Sequence, residues 1–442
     1  MRYSPADALD RTARLARGVL GRARLPITSV ARALTDVRVT LVADEANLAS
    51  HSGQTAVVVL AQLLLASGAR LRLRMPEAKL IGPQPPVKGV LLRQGLLDLA
   101  ADLIPGMSAT LGEASPGDLV FVFGDSRWSG DAALAWRVSG TASCGALARV
   151  NAGALRWTGS WPLGAMTSAA IAAAEPWKFA MRRIAGAFQN EIAVPELIAP
   201  TFEATVDAGR DPDRHDGVSL GILDVVSGGA ITSAMIHTLL RVPNISGSIR
   251  LWERDRVDIS NLNRYLLARL SQVGQPKGTL LARQCDGTLA VEVMPIMLSP
   301  NTLLTYGPLR RVVVVGTDRV RPRWLAQTTM PDWLGIGATS DFTIMVSQHL
   351  AGSGCAWCLH SQEDKAVQKI PTAAFVSYWA GLALATALLM SSSGMPVGAD
   401  QEALTLWPLR LDLPTAMRRH AVAVKRECPI CSGKGVAVRL ST

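Results

Sequence analysis

The residues best suited to chemistry lie in the second half of the chain. Leu251–Tyr265 reads LWERDRVDISNLNRY, a strand ending in Glu253 and Asp255 followed by a polar segment with Ser260, Asn261, Asn263 and Arg264. A carboxylate at the end of a second strand, about two dozen residues past a glycine turn, can accept hydrogen bonds from ribose hydroxyls. Glu253 suits that role, and Asp255 lies one pleat nearer a ligand. Arg264 and Lys277, the latter in Gly274-Gln275-Pro276-Lys277, offer two cations to a triphosphate whose charge would otherwise repel an attacking carboxylate. Upstream, Ser227–Ser233 (SGGAITS) follows a strand and opens a helix, where small residues let backbone amides approach a phosphate. Only Gly228 and Gly229 are glycines there, with Ser227 and Thr232 where a strict pattern wants more. By itself an ordinary tight turn explains the segment equally well.

A second set of residues points to metal. Cys355-Ala356-Trp357-Cys358 and Cys428-Pro429-Ile430-Cys431 supply four thiolates in two knuckles, the set that closes a tetrahedral structural Zn²⁺ site. A redox Cys-x-x-Cys is the competing reading, but redox motifs do not need a second pair. The remaining two cysteines, Cys144 and Cys285, read as structural thiols. The histidines, His237 and His360 among them, show no metal spacing to one another.

These residues need a scaffold, and the hydrophobic pattern supplies one. Val37–Asp44 reads as a buried strand, 54–66 as an apolar helix, 69–75 as a strand, Asp118–Asp125 as a strand and Met166–Ile184 as an Ala-rich helix. The second half repeats that order with strands at 218–224, 248–253 and 311–318 and helices at 231–241 and 373–390. The expected fold class is therefore α/β, two tandem Rossmann-like doubly wound domains, the second carrying the zinc site. The segment 195–217 mixes Pro, Asp, Arg and Gly with little periodicity, which puts the boundary near residue 200, between domains 1–200 and 201–442. The uncharged stretch 373–390 is near spanning length but reads as a buried core helix.

The series DxD with SNLNR, then GxxK, then a strand ending in Asp with Arg five places on (Val315–Arg323, VGTDRVRPR) resembles the ThiF/MoeB-like adenylyltransferases of the ubiquitin-activating enzyme superfamily, in their two-lobed bacterial form. The likeness covers most of Val218–Arg439. It implies that Ser227, Gly228 and Gly229 form the phosphate turn, Glu253 binds ribose, and Asp255 sits by the reacting phosphate. It further implies that Asn261 and Arg264 contact phosphates, Lys277 holds them and Asp318 ligates Mg²⁺. The first half has no SNLNR and no glycine cradle. The resemblance makes it an inactive pseudo-adenylation domain, paired with the active one as an intrachain pseudo-dimer and lending it an arginine, for which Arg11 in LDRTARL is the nearest match. A plain surface arginine is an equal reading of Arg11. Tyr265 departs from the pattern, standing where a Gln usually follows the Arg. So does 360–372 (HSQEDKAVQKIPT), which has no cysteine where the family often carries a thioester-forming thiol, Ala366 lying close to that place.

The implied activity is ATP-dependent adenylation of the C-terminal carboxylate of a ubiquitin-like or sulfur-carrier protein, for onward transfer to a conjugating enzyme or other acceptor. Adenylation of a ribosomal peptide, a dinucleotide-dependent oxidoreductase built on Gly229 and Glu253, and a non-catalytic scaffold are the rivals. The chain's 442 residues allow two or three domains; 49% are hydrophobic and 18% charged, which excludes a disordered chain. Lys plus Arg exceed Asp plus Glu by 45 to 35, spread without runs. A dedicated nucleic-acid groove is not expected, and a nucleotide or an acidic partner explains the balance. The N-terminus lacks a continuous apolar segment, so a cytoplasmic protein with no membrane partner is the expectation.

Overall fold

The computed structural model describes residues 3–21, 25–159, 161–187, 195–209, 217–362, 371–395, 398 and 402–431. Two parallel-dominated sheets form an α/β molecule. The first contains β1 (Arg38–Val42), β2 (Arg70–Arg74), β3 (Ala109–Leu111), β4 (Leu119–Phe123), β5 (Leu134–Gly140), β6 (Cys144–Arg149) and β7 (Ala204–Asp207), in the order β3-β2-β1-β4-β5-β6-β7. The second contains β8 (Val218–Val226), β9 (Ile245–Trp252), β10 (Ala290–Met294), β11 (Val312–Val315), β12 (Trp333–Ser340), β13 (Thr343–Leu350), β14 (Ala403–Leu406) and β15 (Met417–His420), in the order β10-β9-β8-β11-β12-β13-β14-β15. Each sheet is parallel across its first five strands and antiparallel beyond them. Sheet order reverses beside β8, between β9 and β11, and a crevice outside the carboxyl ends of strands at such a switch point is where doubly wound sheets bind ligands.

Strands β4 and β11 (LVFVF and VVVV) are almost wholly apolar because helices cover both faces of a parallel sheet. One buried carboxylate registers the centre of the second sheet. Asp224 on β8 takes Arg250 of β9 through Nε at 2.6 Å and Nη2 at 2.9 Å, and also accepts from Trp252 Nε1 at 2.7 Å and the Arg310 amide at 2.6 Å.

Between the sheets lie helices that are apolar on all sides, the mark of burial in a large core. Helix Ala374–Ser392 packs on helix Ala230–Leu239 and on β8, β12 and β13, and also meets helices Leu163–Ala172 and His51–Ala66 of the first half. It is long and apolar enough to cross a bilayer by length and composition, yet 78% of its apolar window is buried inside the protein. Gly381 permits the closest approach, since a Cβ there would stand 2.4 Å from Ala234 Cβ. One large apolar cluster runs through both halves, with three smaller ones beside it among the described residues.

Three sequence expectations shift. The Ala-rich helix 166–184 is two helices, Leu163–Ala172 and Ala174–Ala187, because Pro176 has no N–H to give and is tolerated only in a first turn. The strand expected at 311–318 stops at Val315, leaving Gly316–Asp318 as loop. Strand β7 joins the first sheet just beyond the boundary suggested by composition.

Candidate functional site

At the carboxyl end of β8 the chain turns through Ser227, which adopts φ 79°, a left-handed conformation uncommon for a residue with a Cβ. Side chains brace this turn. The Ser227 Oγ accepts from the Gly229 amide at 3.1 Å, and Thr232 Oγ1 donates to the Ser227 carbonyl at 2.6 Å. The two residues that break the glycine pattern thus hold the turn that glycines would otherwise make. Gly228 does need to be glycine, because a Cβ would meet Leu281 Cδ1 at 2.9 Å and Glu253 Cγ at 3.1 Å.

Glu253, just past the end of β9, is 7% exposed and spans the cradle. Its Oε2 accepts from the Gly228 amide and its Oε1 from the Asp255 amide, both at 2.7 Å. Burial raises its pKa; the two amides and Lys277 oppose that shift. The carboxylate therefore fixes the turn after β8.

The polar segment after β9 is folded by its own side chains. Asp258 caps the short turn Ile259–Asn261, accepting from the Ser260 amide at 2.9 Å, while Asn261 Oδ1 accepts from the Asp258 amide at 3.0 Å. Arg264 is 6% exposed, its Nη1 donating to the Ser260 carbonyl at 2.5 Å and to Asn263 Oδ1 at 2.7 Å. Asn263 in turn donates from Nδ2 to Thr12 Oγ1 at 2.8 Å and to the Thr372 carbonyl at 3.2 Å. Helix Pro5–Val19 is thereby tied to the site, and it brings Arg11 to the cavity wall. Lys277, 8% exposed, opens helix Lys277–Cys285 and places Nζ 3.3 Å from Asp255 Oδ2.

These groups enclose a polar cavity of about 210 Å³ lined by Arg11, Ser227, Gly229, Asp255, Asn261, Arg264, Tyr265, Lys277, Asp318 and Arg323. Four cations face two carboxylates. Burial brings the Arg264 guanidinium down to about 10, and Arg11 pushes it the same way, against Tyr265, Asp258 and Asp318. Burial also works against the charge of Lys277, yet its pKa is raised overall by Tyr265, Glu253 and Asp255. Buried like charges so close together suit an anionic ligand. Gly228 and Glu253 stand behind the cavity wall. Thr339, Thr372 and Ser377 also line it, and nothing in their sequence context marks them.

Asp318 projects from the loop after β11 and is exposed, with no ion pair to it among the described residues. Arg323 steadies the loop by donating Nη2 to the Thr317 carbonyl at 2.7 Å, and its Nη1 lies 3.4 Å from His360 Nδ1. Trp324 Nε1 donates to the His360 carbonyl at 2.7 Å, and Gln327 Oε1 accepts from the Ala356 amide at 3.0 Å. The first cysteine knuckle is therefore fastened to the helix that holds the Asp318 loop.

The four sulfurs of Cys355, Cys358, Cys428 and Cys431 lie within 4.8 Å of one another. Separations are 3.8 Å for Cys355–Cys358 and 3.3 Å for Cys355–Cys428 and Cys358–Cys431. Zn–S bonds of about 2.3 Å in a tetrahedron put sulfurs about 3.8 Å apart, so the set fits zinc with small adjustments. Backbone amides already point at the sulfurs, Ile430 and Cys431 at Cys428 Sγ, both at 3.4 Å, and Lys425 at Cys358 Sγ at 3.3 Å. Such donors stabilise thiolates. Cys285 is fully buried, its thiol pushed up to about 12 by burial, and Cys144 is half-buried on β6. Ala366 lies outside the described residues.

The equivalent place in the first sheet is built differently. The turn after β1 is filled by the short helix Glu45–Leu48, capped by Asp44, whose amide donates to Ser126 Oγ at 3.0 Å. Glu77 accepts from the amides of Arg93 at 2.7 Å and Gln94 at 3.2 Å, and Asp125 lies 3.6 Å from Arg156.

No family model matches the chain. The uncharacterized protein y4jF of Sinorhizobium fredii (strain NBRC 101917 / NGR234) is 27% identical over 175 residues, 39% of this chain and 34% of that protein, so the match spans about a third of the relative's length. Among solved structures, E. coli MccB with SeMet MccA is 16% identical at a TM-score of 0.39, over 48% of this chain and 66% of that one. E. coli MccB with ATP gives 15% and 0.38 over 48% and 67%, and SeMet PaaA gives 15% and 0.34 over 46% and 64%. Likenesses this low carry no argument about this chain's activity.

Proposed function

We propose that the chain is an ATP-dependent adenylyltransferase that activates the C-terminal carboxylate of a small protein of the ubiquitin-like or sulfur-carrier type. The observation that carries this reading is the convergence of Arg11, Arg264 and Lys277, from three separate segments, on one polar cavity at the switch point of the second sheet. That is the place and the charge for a nucleoside triphosphate.

In this reading Arg11, Arg264 and Lys277 hold the phosphates, the side-chain Nδ2 of Asn261 donates to them, and Glu253 offers its remaining lone pairs to ribose. Asp318 would hold Mg²⁺, which, when bound, screens charge on the phosphates. A carboxylate oxygen of the partner attacks the α-phosphorus as the bond from that phosphorus to its bridging oxygen breaks, and the electron pair leaves with pyrophosphate. No proton has to move, so positioning and charge stabilisation suffice. Asp255, ion-paired to Lys277, orients that lysine and sits by the reacting phosphate. The first half, with its filled turn, acts as a pseudo-adenylation domain of an intrachain pseudo-dimer and contributes Arg11. The chain works in the cytoplasm, and a short peptide substrate would use the same chemistry.

ATP–pyrophosphate exchange tests this reading. Exchange is expected, and bound NADH fluorescence without exchange would favour the oxidoreductase instead.

A further inference from the structure

Tyr265 occupies a place in the cavity that the proposed roles leave open. Its amide donates to the Asn261 carbonyl at 2.9 Å, which fixes the residue at the end of the turn that carries Arg264. It is 8% exposed and lines the cavity. Lys277 Nζ lies over the ring at 5.1 Å from its centroid and Arg264 Cζ at 5.5 Å, so one aromatic ring contacts two of the cations. The hydroxyl points to the start of helix Ala230–Leu239, 3.7 Å from where a Cβ on Gly229 would stand. The phenol interacts with the Lys277 ammonium, and its tip is at the mouth of a helix N-terminus, where its hydrogen remains available to an anion.

The turn itself gives reason for another donor. The Gly228 amide is committed to Glu253 and the Gly229 amide to Ser227 Oγ, which leaves the turn fewer amides for a phosphate than an open glycine cradle presents. We infer that Tyr265 is a phosphate-binding residue: its hydroxyl donates to the β- or γ-phosphate of the nucleotide, and its ring holds Lys277 and Arg264 at the spacing the phosphates need. Tyr265 thereby supplies from the side what the turn withholds. The interaction of Tyr265 with Lys277 also favours the charged ammonium.

The inference rests on the nucleotide reading of the cavity, but not on the identity of the acyl acceptor. The test is calorimetric binding of α,β-methylene-ATP with Mg²⁺, and separately of AMP, to the full-length wild type and to Tyr265→Phe and Tyr265→Leu. The phenylalanine variant keeps the ring and the packing. It should bind the triphosphate analogue about tenfold more weakly, the size of one charge-assisted hydrogen bond, with AMP affinity within about twofold of wild type. Tyr265→Leu should lose more, because both cations lose their contact with the ring. Wild-type affinity for the triphosphate in Tyr265→Phe, or equal weakening for AMP and the triphosphate, would overturn the inference while leaving the adenylation reading intact. A wild type that binds neither nucleotide would overturn both; one that binds the triphosphate with Tyr265 dependence yet gives no exchange would uphold the phosphate role and sink adenylation.

Discussion

Arg264 is the residue on which the site turns. It is buried, held by the Ser260 carbonyl and Asn263, and made less basic by burial and by the neighbouring Arg11, so it pays for its place only if an anion arrives. Arg264→Ala or Asp318→Ala is expected to lower ATP–pyrophosphate exchange at least about a hundredfold, since in the proposed reaction each would act on charge that moves. Exchange within a few fold of wild type in either variant would remove that residue from the site. Cys285 is a poor nucleophile here, because it is buried with a raised pKa. Residue identities in SNLNR, GQPK and GTD were legible in the sequence because charged side chains are rare in so apolar a chain. Thr339, Thr372 and Ser377 were not, because small hydroxyl residues gain meaning only from the strands and helices that bring them together. The way Ser227 and Thr232 stand in for glycines was equally hidden, being a matter of side-chain hydrogen bonds.

At the scale of elements, the cysteine knuckles and helix Arg321–Thr328 form one unit. The helix carries Arg323 toward the Thr317 carbonyl, and Trp324 and Gln327 bind the first knuckle. Elemental analysis of the purified protein should give about one zinc per chain, and Cys428→Ser should lose both the metal and several degrees of thermal stability. A metal-free wild type with unchanged stability after Cys428→Ser would contradict a structural zinc. Strand and helix order was readable from periodicity, as at Val312–Val315 and Ala374–Ser392. Their ends were not, because the stop at Val315 comes from the turn into Gly316 and the break before Ala174 from a proline whose position in a helix cannot be known until the helix has started.

Across the whole molecule, the two halves meet through their apolar helices around a small polar group. His237 is fully buried, its Nε2 2.7 Å from Gln62 Oε1, with Tyr378 edge-on at 5.7 Å and Arg241 nearby. The Gln62 amide itself donates to the Leu266 carbonyl, tying the first half to the second. Burial first, and Arg241 second, lower the His237 pKa well below 6.5, and its Nδ1 has no partner among the described residues. The folded state therefore keeps this imidazole neutral while the unfolded chain binds a proton below its ordinary pKa. Stability should fall as pH drops below about 6.5, by up to about 1.4 kcal/mol per pH unit for this group, until the depressed folded pKa is reached. His349, also lowered by burial, adds to the slope. Urea midpoints between pH 7 and 5 should flatten in His237→Gln relative to wild type, and an unchanged slope would show that the interface does not titrate. The same two halves bring helix Pro5–Val19 against the polar turn at Ile259–Asn261, so the site is completed only by the intact chain. The measurement that bears most directly on the account is ATP–pyrophosphate exchange by the full-length protein with the peptide and small-protein fraction of its source cell. Exchange that depends on that fraction and on Mg²⁺ is expected, and no exchange with any carboxylate-bearing fraction, despite folded and zinc-loaded protein, would contradict adenylation by this chain.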